Sequence, residues 1–148
     1  MRLGLLYIFL TFIFLSSCSD TIDSPVPSYP VSMKLDLTFN DKELKSAGAY
    51  KIYTTPTASY LSLGYGGVVV VHSSADDNYY AFDLACPYEV LPSVKIEIED
   101  GGLYASCPKC GSRFDISFGS GHPVNGPATG GLRRFTVTPS GNYLIVSN

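Results

Sequence analysis

Apolar and polar residues alternate with a period of two in several short stretches of this chain, and no long helical period develops. Met33, Leu35, Leu37 and Phe39 alternate with Lys34, Asp36 and Thr38, which predicts a strand with one face buried. Val94, Ile96 and Ile98 alternate with Lys95, Glu97 and Glu99 in the same way. Val68, Val69, Val70 and Val71 form an unbroken apolar run opened by Gly66-Gly67, the pattern of a strand buried on both faces. Asp76-Asp77-Asn78 supplies turn chemistry, so residues 79–84 are expected to fold back on that run as a hairpin. Asp100-Gly101-Gly102 turns the segment of Val94 into Leu103-Tyr104-Ala105. Further strands are expected over residues 50–53, 114–118, 133–137 and 143–146. Asn40 is placed to cap a short helical turn ending near Leu44, with Glu43 three residues on. Short strands at this spacing predict an all-β domain, a small antiparallel sandwich or barrel.

The first residues follow a different rule. Arg2 is followed by a nearly unbroken apolar run over residues 3–15, too short to span a bilayer comfortably. It ends in Leu15-Ser16-Ser17-Cys18, which resembles the lipobox of bacterial lipoproteins. That resemblance implies a signal peptide over residues 1–17, cleavage before Cys18 and lipidation of its thiol. Several acyl chains would then give a stable membrane anchor. The implied location is the cell envelope, lipid-anchored at the outer membrane and facing the periplasm or the outside. Residues 18–30 are rich in Ser, Pro and Asp, with Pro25, Pro27 and Pro30, and are expected to act as a solvated tether. The domain proper is then 31–148.

Composition narrows the function. Eleven Tyr, eight Phe, fourteen Gly and ten Pro suit strands and turns. The formal charge of −3, one unit more negative once Arg2 is removed, argues against a nucleic-acid partner. Arg133-Arg134 is too small a basic patch to change that. Glu97, Glu99 and Asp100 read as a solvated strand face.

Three cysteines remain in the domain. Cys107-Pro108-Lys109-Cys110-Gly111 is a C-x₂-C-G knuckle, whose spacing lets two thiolates meet one metal while glycine relieves the tight turn. Cys86-Pro87 follows one expected strand as Cys107-Pro108 follows another, so two Cys-Pro loops are expected to face each other. Taken alone, the residues allow a metal centre, a disulfide of Cys86 with Cys107 or Cys110, or a reduced and empty site.

The flanking residues carry a more specific resemblance. Residues 80–87, Tyr-Ala-Phe-Asp-Leu-Ala-Cys-Pro, are similar to the first ligand box of Rieske iron–sulfur domains, and residues 107–115 to the second. Asn125-Gly126-Pro127-Ala128-Thr129 resembles the proline loop that covers the cluster in that family. The likeness runs from about Gly66 to the C-terminus. It implies a Rieske-like all-β fold with a cluster-binding subdomain, a 2Fe–2S cofactor, and at most the role of an electron-transfer component with an unknown redox partner, not an enzyme. The family's boxes read C-x-H and C-x₂-H, two cysteines on one iron and two histidines on the other. The cysteine positions fall on Cys86 and Cys107; the histidine positions fall on Tyr88 and Cys110. Both histidines are therefore replaced, and the implied metal ligands are Cys86, Cys107, Cys110 and Tyr88. Ser112 matches a serine that hydrogen-bonds cluster sulfur, Phe114 stands where respiratory-type relatives have tyrosine, and Gly126 and Pro127 form the lid. A disulfide that some relatives carry between the boxes would match Leu91 and Lys109, neither of them cysteine.

His72 and His122 are expected to be ordinary surface residues. His122 falls at the far end of the hairpin from Phe114, on the order of 15 Å from the cysteines. Anionic ligands in place of neutral imidazole imply a potential well below the Rieske range of about −150 to +300 mV. Zinc, or no metal at all on a fold kept as an interaction module with an unknown binding partner, remains the alternative. Mass spectrometry of membrane-extracted protein is expected to show a chain that starts at an acylated Cys18; an unmodified Cys18 or a soluble mature form would refute it.

Overall fold

The computed structural model describes residues 22–148. The segment expected to be a signal peptide, and Cys18, lie outside the described residues. Among the described residues, eleven strands form two antiparallel sheets. The larger contains β1 (Val31–Asp36), β2 (Tyr50–Tyr53), β3 (Tyr60–Leu63), β4 (Val68–His72), β5 (Tyr79–Asp83), β10 (Arg134–Ser140) and β11 (Tyr143–Ser147), ordered β2-β4-β5-β10-β11-β1-β3. It rolls into a nearly closed barrel. The smaller contains β6 (Glu97–Ile98), β7 (Tyr104–Ser106), β8 (Arg113–Asp115) and β9 (His122–Asn125) in that order. The molecule is thus the expected all-β fold, with the second cysteine box between two strands of the small sheet.

The valine run explains how two cores share one strand. Val68 and Val70 face into the barrel with Leu35, Leu44, Ala81 and Leu144. Val69 and Val71 face outward, into a second core with Phe82, Leu84, Ile96, Ala105, Phe114 and Ile116. Alternation persists along β4, but both sides are apolar because the small sheet covers what would otherwise be a wet face. Cys86 and Cys107 belong to this second core.

Asp83 fixes the junction. Its carboxylate is buried and accepts the N–H groups of Tyr65 (2.7 Å), Gly66 (2.9 Å) and Ala85 (2.8 Å). Lys95 reaches across to the Gly66 carbonyl. Gly66 has no room for a side chain, since a Cβ there would lie 2.7 Å from the Ala85 nitrogen. Between these loops, residues 94–96 cross from one sheet to the other. Cys86 N–H donates to Val94 O (3.0 Å) and Ile96 N–H to Leu84 O (2.8 Å). The strand expected over Val94, Ile96 and Ile98 is therefore a crossover, and only Glu97–Ile98 joins the ladder.

Four further expectations are corrected. The first strand ends at Asp36, and Phe39 is 74% exposed. A turn closes there, with Phe39 and Asp41 N–H groups donating to Asp36 O, so the period of two stops. Asn40 caps nothing; the helical turn is 3₁₀, Lys42–Lys45, preceded by Asp41, whose carboxylate turns inward to Tyr53 Oη (2.8 Å) and Lys51 Nζ (3.0 Å). His72 is 6% exposed rather than a surface residue. It stacks on Tyr79 with ring centroids 4.3 Å apart, and its Nε2 lies 2.9 Å from Asp77 Oδ1. The hairpin that holds it is capped by its own turn, which the apolar pattern does not reveal.

The fourth correction concerns the tether. From Asp23 onward it is fastened to the domain. Val26 is fully buried, and the Arg133 guanidinium donates to the carbonyls of Ser24 (2.8 Å) and Val26 (3.0 Å from Nε). Gly131 N–H reaches Asp23 O, and Asn148 donates to Tyr29 O. Prolines keep this stretch extended, and an extended chain without its own backbone ladder is free to give its carbonyls to the half-buried Arg133.

Replacing Asp83 with alanine would leave three N–H groups without their acceptor. Asp83→Ala is expected to cost on the order of 3 kcal/mol or more, read from urea unfolding. A loss below about 1 kcal/mol would show that the junction is held elsewhere.

Candidate metal centre

The two Cys-Pro loops adopt the same turn. In the first, Val90 N–H donates to Cys86 O at 2.9 Å; in the second, Gly111 N–H donates to Cys107 O at 2.9 Å. Each turn closes on a residue with positive φ, 51° at Val90 and 73° at Gly111. Glycine adopts that conformation freely, whereas a β-branched valine is strained there by roughly 1–3 kcal/mol. The first loop thus keeps the shape of the second despite its sequence.

The loops bring three sulfurs together. The Sγ atoms of Cys86, Cys107 and Cys110 all lie within 4.8 Å of one another, and Cys86 Sγ is 3.7 Å from Cys110 Sγ. Cys86 and Cys107 are buried and Cys110 is partly exposed, all as free thiols. Burial pushes the Cys86 thiol up to about 12 against the pull of the Glu89 and Tyr88 N–H groups aimed at its sulfur, and the neighbouring Cys107 and Cys110 sulfurs add to the rise. Burial acts on Cys110 too, but the Ser112 hydroxyl and N–H outweigh it, aided by Cys107 and Cys86, and hold that thiol below its ordinary range.

Ser112 is completely buried. Its Oγ accepts the Ala128 N–H at 3.0 Å and the Cys110 S–H at 3.2 Å, and when Cys110 is a thiolate the Ser112 proton is free to turn to the sulfur. Gly126, at φ 88°, packs so closely on the second loop that a Cβ would meet Ser112 Cα at 2.5 Å. The chain at Gly126 therefore lies directly against the second cysteine loop. Phe114 is buried in the second core and offers no hydroxyl.

Tyr88 is 54% exposed, so its phenol is not packed among the sulfurs. No histidine joins the cysteine group among the described residues. Asp115 pairs with His122 while Arg113 pairs with Asn125, which puts His122 at the end of the β8–β9 hairpin remote from Cys110. Leu91 is exposed, and Lys109 is engaged differently from the disulfide position it matches: its Nζ lies 2.7 Å from Glu89 Oε2, an ion pair joining the two loops. Glu89 is the residue that the sequence reading passed over. The signal was present, because Cys86-Pro87-Tyr88-Glu89 repeats the spacing of Cys107-Pro108-Lys109-Cys110.

Chemically, three convergent thiols with N–H and O–H groups directed at sulfur suit a thiophilic metal, and these three cysteines could hold one.

No family model matches this chain, and no curated protein matches it either. Solved structures do. The ferredoxin of carbazole 1,9a-dioxygenase from Nocardioides aromaticivorans IC177 superposes with a TM-score of 0.50 at 22% identity, over 80% of this chain and 97% of the ferredoxin. The fold is Rieske-like. A structure described as a complex of reduced oxygenase and oxidized ferredoxin in carbazole 1,9a-dioxygenase aligns at 19% identity, over 68% of this chain and 90% of the other, with a TM-score of 0.45.

The metal-free thiols are expected to react unequally. Iodoacetamide should modify Cys110 first, at a rate that levels off below the pH usual for cysteine, while Cys86 stays protected to high pH. Peptide mapping of partly alkylated protein reads this; preferential labelling of Cys86 would contradict the electrostatics described.

Proposed function

We propose that this protein is a metal–thiolate electron carrier of the cell envelope, built on the Rieske-like fold and held at the outer membrane through a lipidated Cys18. The convergence of the Cys86, Cys107 and Cys110 sulfurs carries the reading. An iron centre there, as a 2Fe–2S cluster or as a single ion, would supply a one-electron couple. The rest belongs to the chain. Cys86, Cys107 and Cys110 ligate, Ser112 lends its hydroxyl to sulfur, and the loop of Gly126 and Pro127 limits water. Burial in the second core lowers the local dielectric, so N–H groups near sulfur act strongly on the charge held there.

The likeness to a ferredoxin supports a carrier that serves an oxidoreductase partner, and supports the absence of catalysis by this chain itself. Among the described residues no helix is long and apolar enough to cross a membrane, so membrane attachment in this reading rests on the lipid.

Anaerobic purification followed by metal analysis tests the proposal. Iron near stoichiometric with the chain is expected, with a reversible couple below about −150 mV by protein-film voltammetry. Cys107→Ser should lose most of that iron. A colourless protein free of metal, even after reconstitution, would leave the fold as an interaction module and overturn the carrier.

A further inference from the structure

The family's arrangement divides its ligands between two irons, with the positions of Cys86 and Cys107 on one and that of Cys110 on the other. The geometry does not follow that division. Cys86 and Cys110, assigned to opposite metals, are 3.7 Å apart, and all three sulfurs fit within 4.8 Å. A tetrahedral ion with metal–sulfur bonds of about 2.3 Å has sulfur–sulfur edges of about 3.8 Å. Thiolates on opposite sides of a binuclear cluster have a second metal and two sulfides between them, and stand farther apart.

The fourth donor follows from the matching turns. Cys107 and Cys110 occupy the first and fourth positions of the second turn, the two positions from which a C-x₂-C knuckle grips one metal. In the first turn those positions are Cys86 and Glu89, since Val90 N–H closes on Cys86 O as Gly111 N–H closes on Cys107 O. The Glu89 side chain is only 14% exposed, against 54% for the whole of Tyr88. Among the described residues no carboxylate lies with the three sulfurs as the structure stands, and the Glu89 carboxylate is instead paired with Lys109 Nζ at 2.7 Å; Lys109 is 55% exposed, so ligation requires the carboxylate to turn from the lysine to the metal while the lysine stays in solvent. Three thiolates and a carboxylate around a divalent ion leave net negative charge, which the nearby lysine would offset in part.

We propose that the site is built for one tetrahedral divalent metal ion, ligated by Cys86, Cys107, Cys110 and the Glu89 carboxylate. This rests on the metal–thiolate reading above and narrows it to a mononuclear centre; Fe²⁺ there keeps the one-electron couple, whereas Zn²⁺, which has no redox chemistry, would leave the centre structural and overturn the carrier.

Cobalt titration tests it directly. The full chain, stripped of metal and reduced, is titrated with Co²⁺ and followed by its ligand-field and thiolate charge-transfer bands. Saturation is expected at one ion per chain, with the band intensity of four-coordinate cobalt. Glu89→Ala should weaken binding about tenfold or more. Glu89→Cys should tighten it and add the charge-transfer intensity of a fourth thiolate, a gain that poor folding of the alanine variant cannot imitate. Two metals and two sulfides per chain in protein purified from cells would overturn the single ion while leaving the carrier intact. Unchanged affinity in Glu89→Ala, or an equal loss in Tyr88→Phe alone, would overturn the role of Glu89. Failure of the wild-type chain to bind any metal would remove the carrier and this centre together.

Discussion

The structure depends on one buried carboxylate. Asp83 ends β5 and gathers N–H groups from the loop that precedes β4 and from Ala85, one step before Cys86. An acid in that position is costly to desolvate, and only convergent donors make it tolerable. Three residues on, the chain must leave the barrel at a defined angle, because Cys86 has to meet sulfurs delivered from another sheet. A carboxylate fastened from three directions supplies that angle where apolar packing alone would let the loop slide.

The second core translates this position into a site. Val69 and Val71 of β4 press on the same layer as Ile96, Ala105 and Phe114, and the buried cysteines sit within it. The centre is therefore part of the packing between two sheets. Its dry wall raises the energy of any charge on Cys86, while Cys110, nearer the solvent and beside Ser112, tolerates charge more easily. The two loops share a turn and bury their first cysteines alike, and the asymmetry lies at Cys110, the one sulfur of the three that is partly exposed.

Much of this was legible in the sequence because it was carried by local spacing. The valine run, the hairpin turn at Asp76-Asp77-Asn78 and the C-x₂-C-G knuckle each encode their geometry within a few residues. The parts that were not legible depend on distant partners. β3 escaped notice because Leu61 points into solvent and the strand is held by β1 along one edge. His72 was misplaced because its cover comes from Tyr79 and Asp77 across the turn. The equivalence of Glu89 and Cys110 in their turns was hidden because it rests on the backbone bond from Val90 to Cys86, which no motif spells out.

The clasp of Arg133 on Ser24 and Val26 bears on how far such a molecule could range. With the chain pinned from Asp23 onward, the anchor proposed at Cys18 stands only about five residues away in sequence, about 3.5 Å each at full stretch. That is a leash of roughly 15–20 Å, less than the width of the domain it would hold. Such a protein could rock against the lipid surface but not sweep the space above it. Its electron partner would then have to come to the same surface, and the rate of their encounter would be set by lateral diffusion in two dimensions.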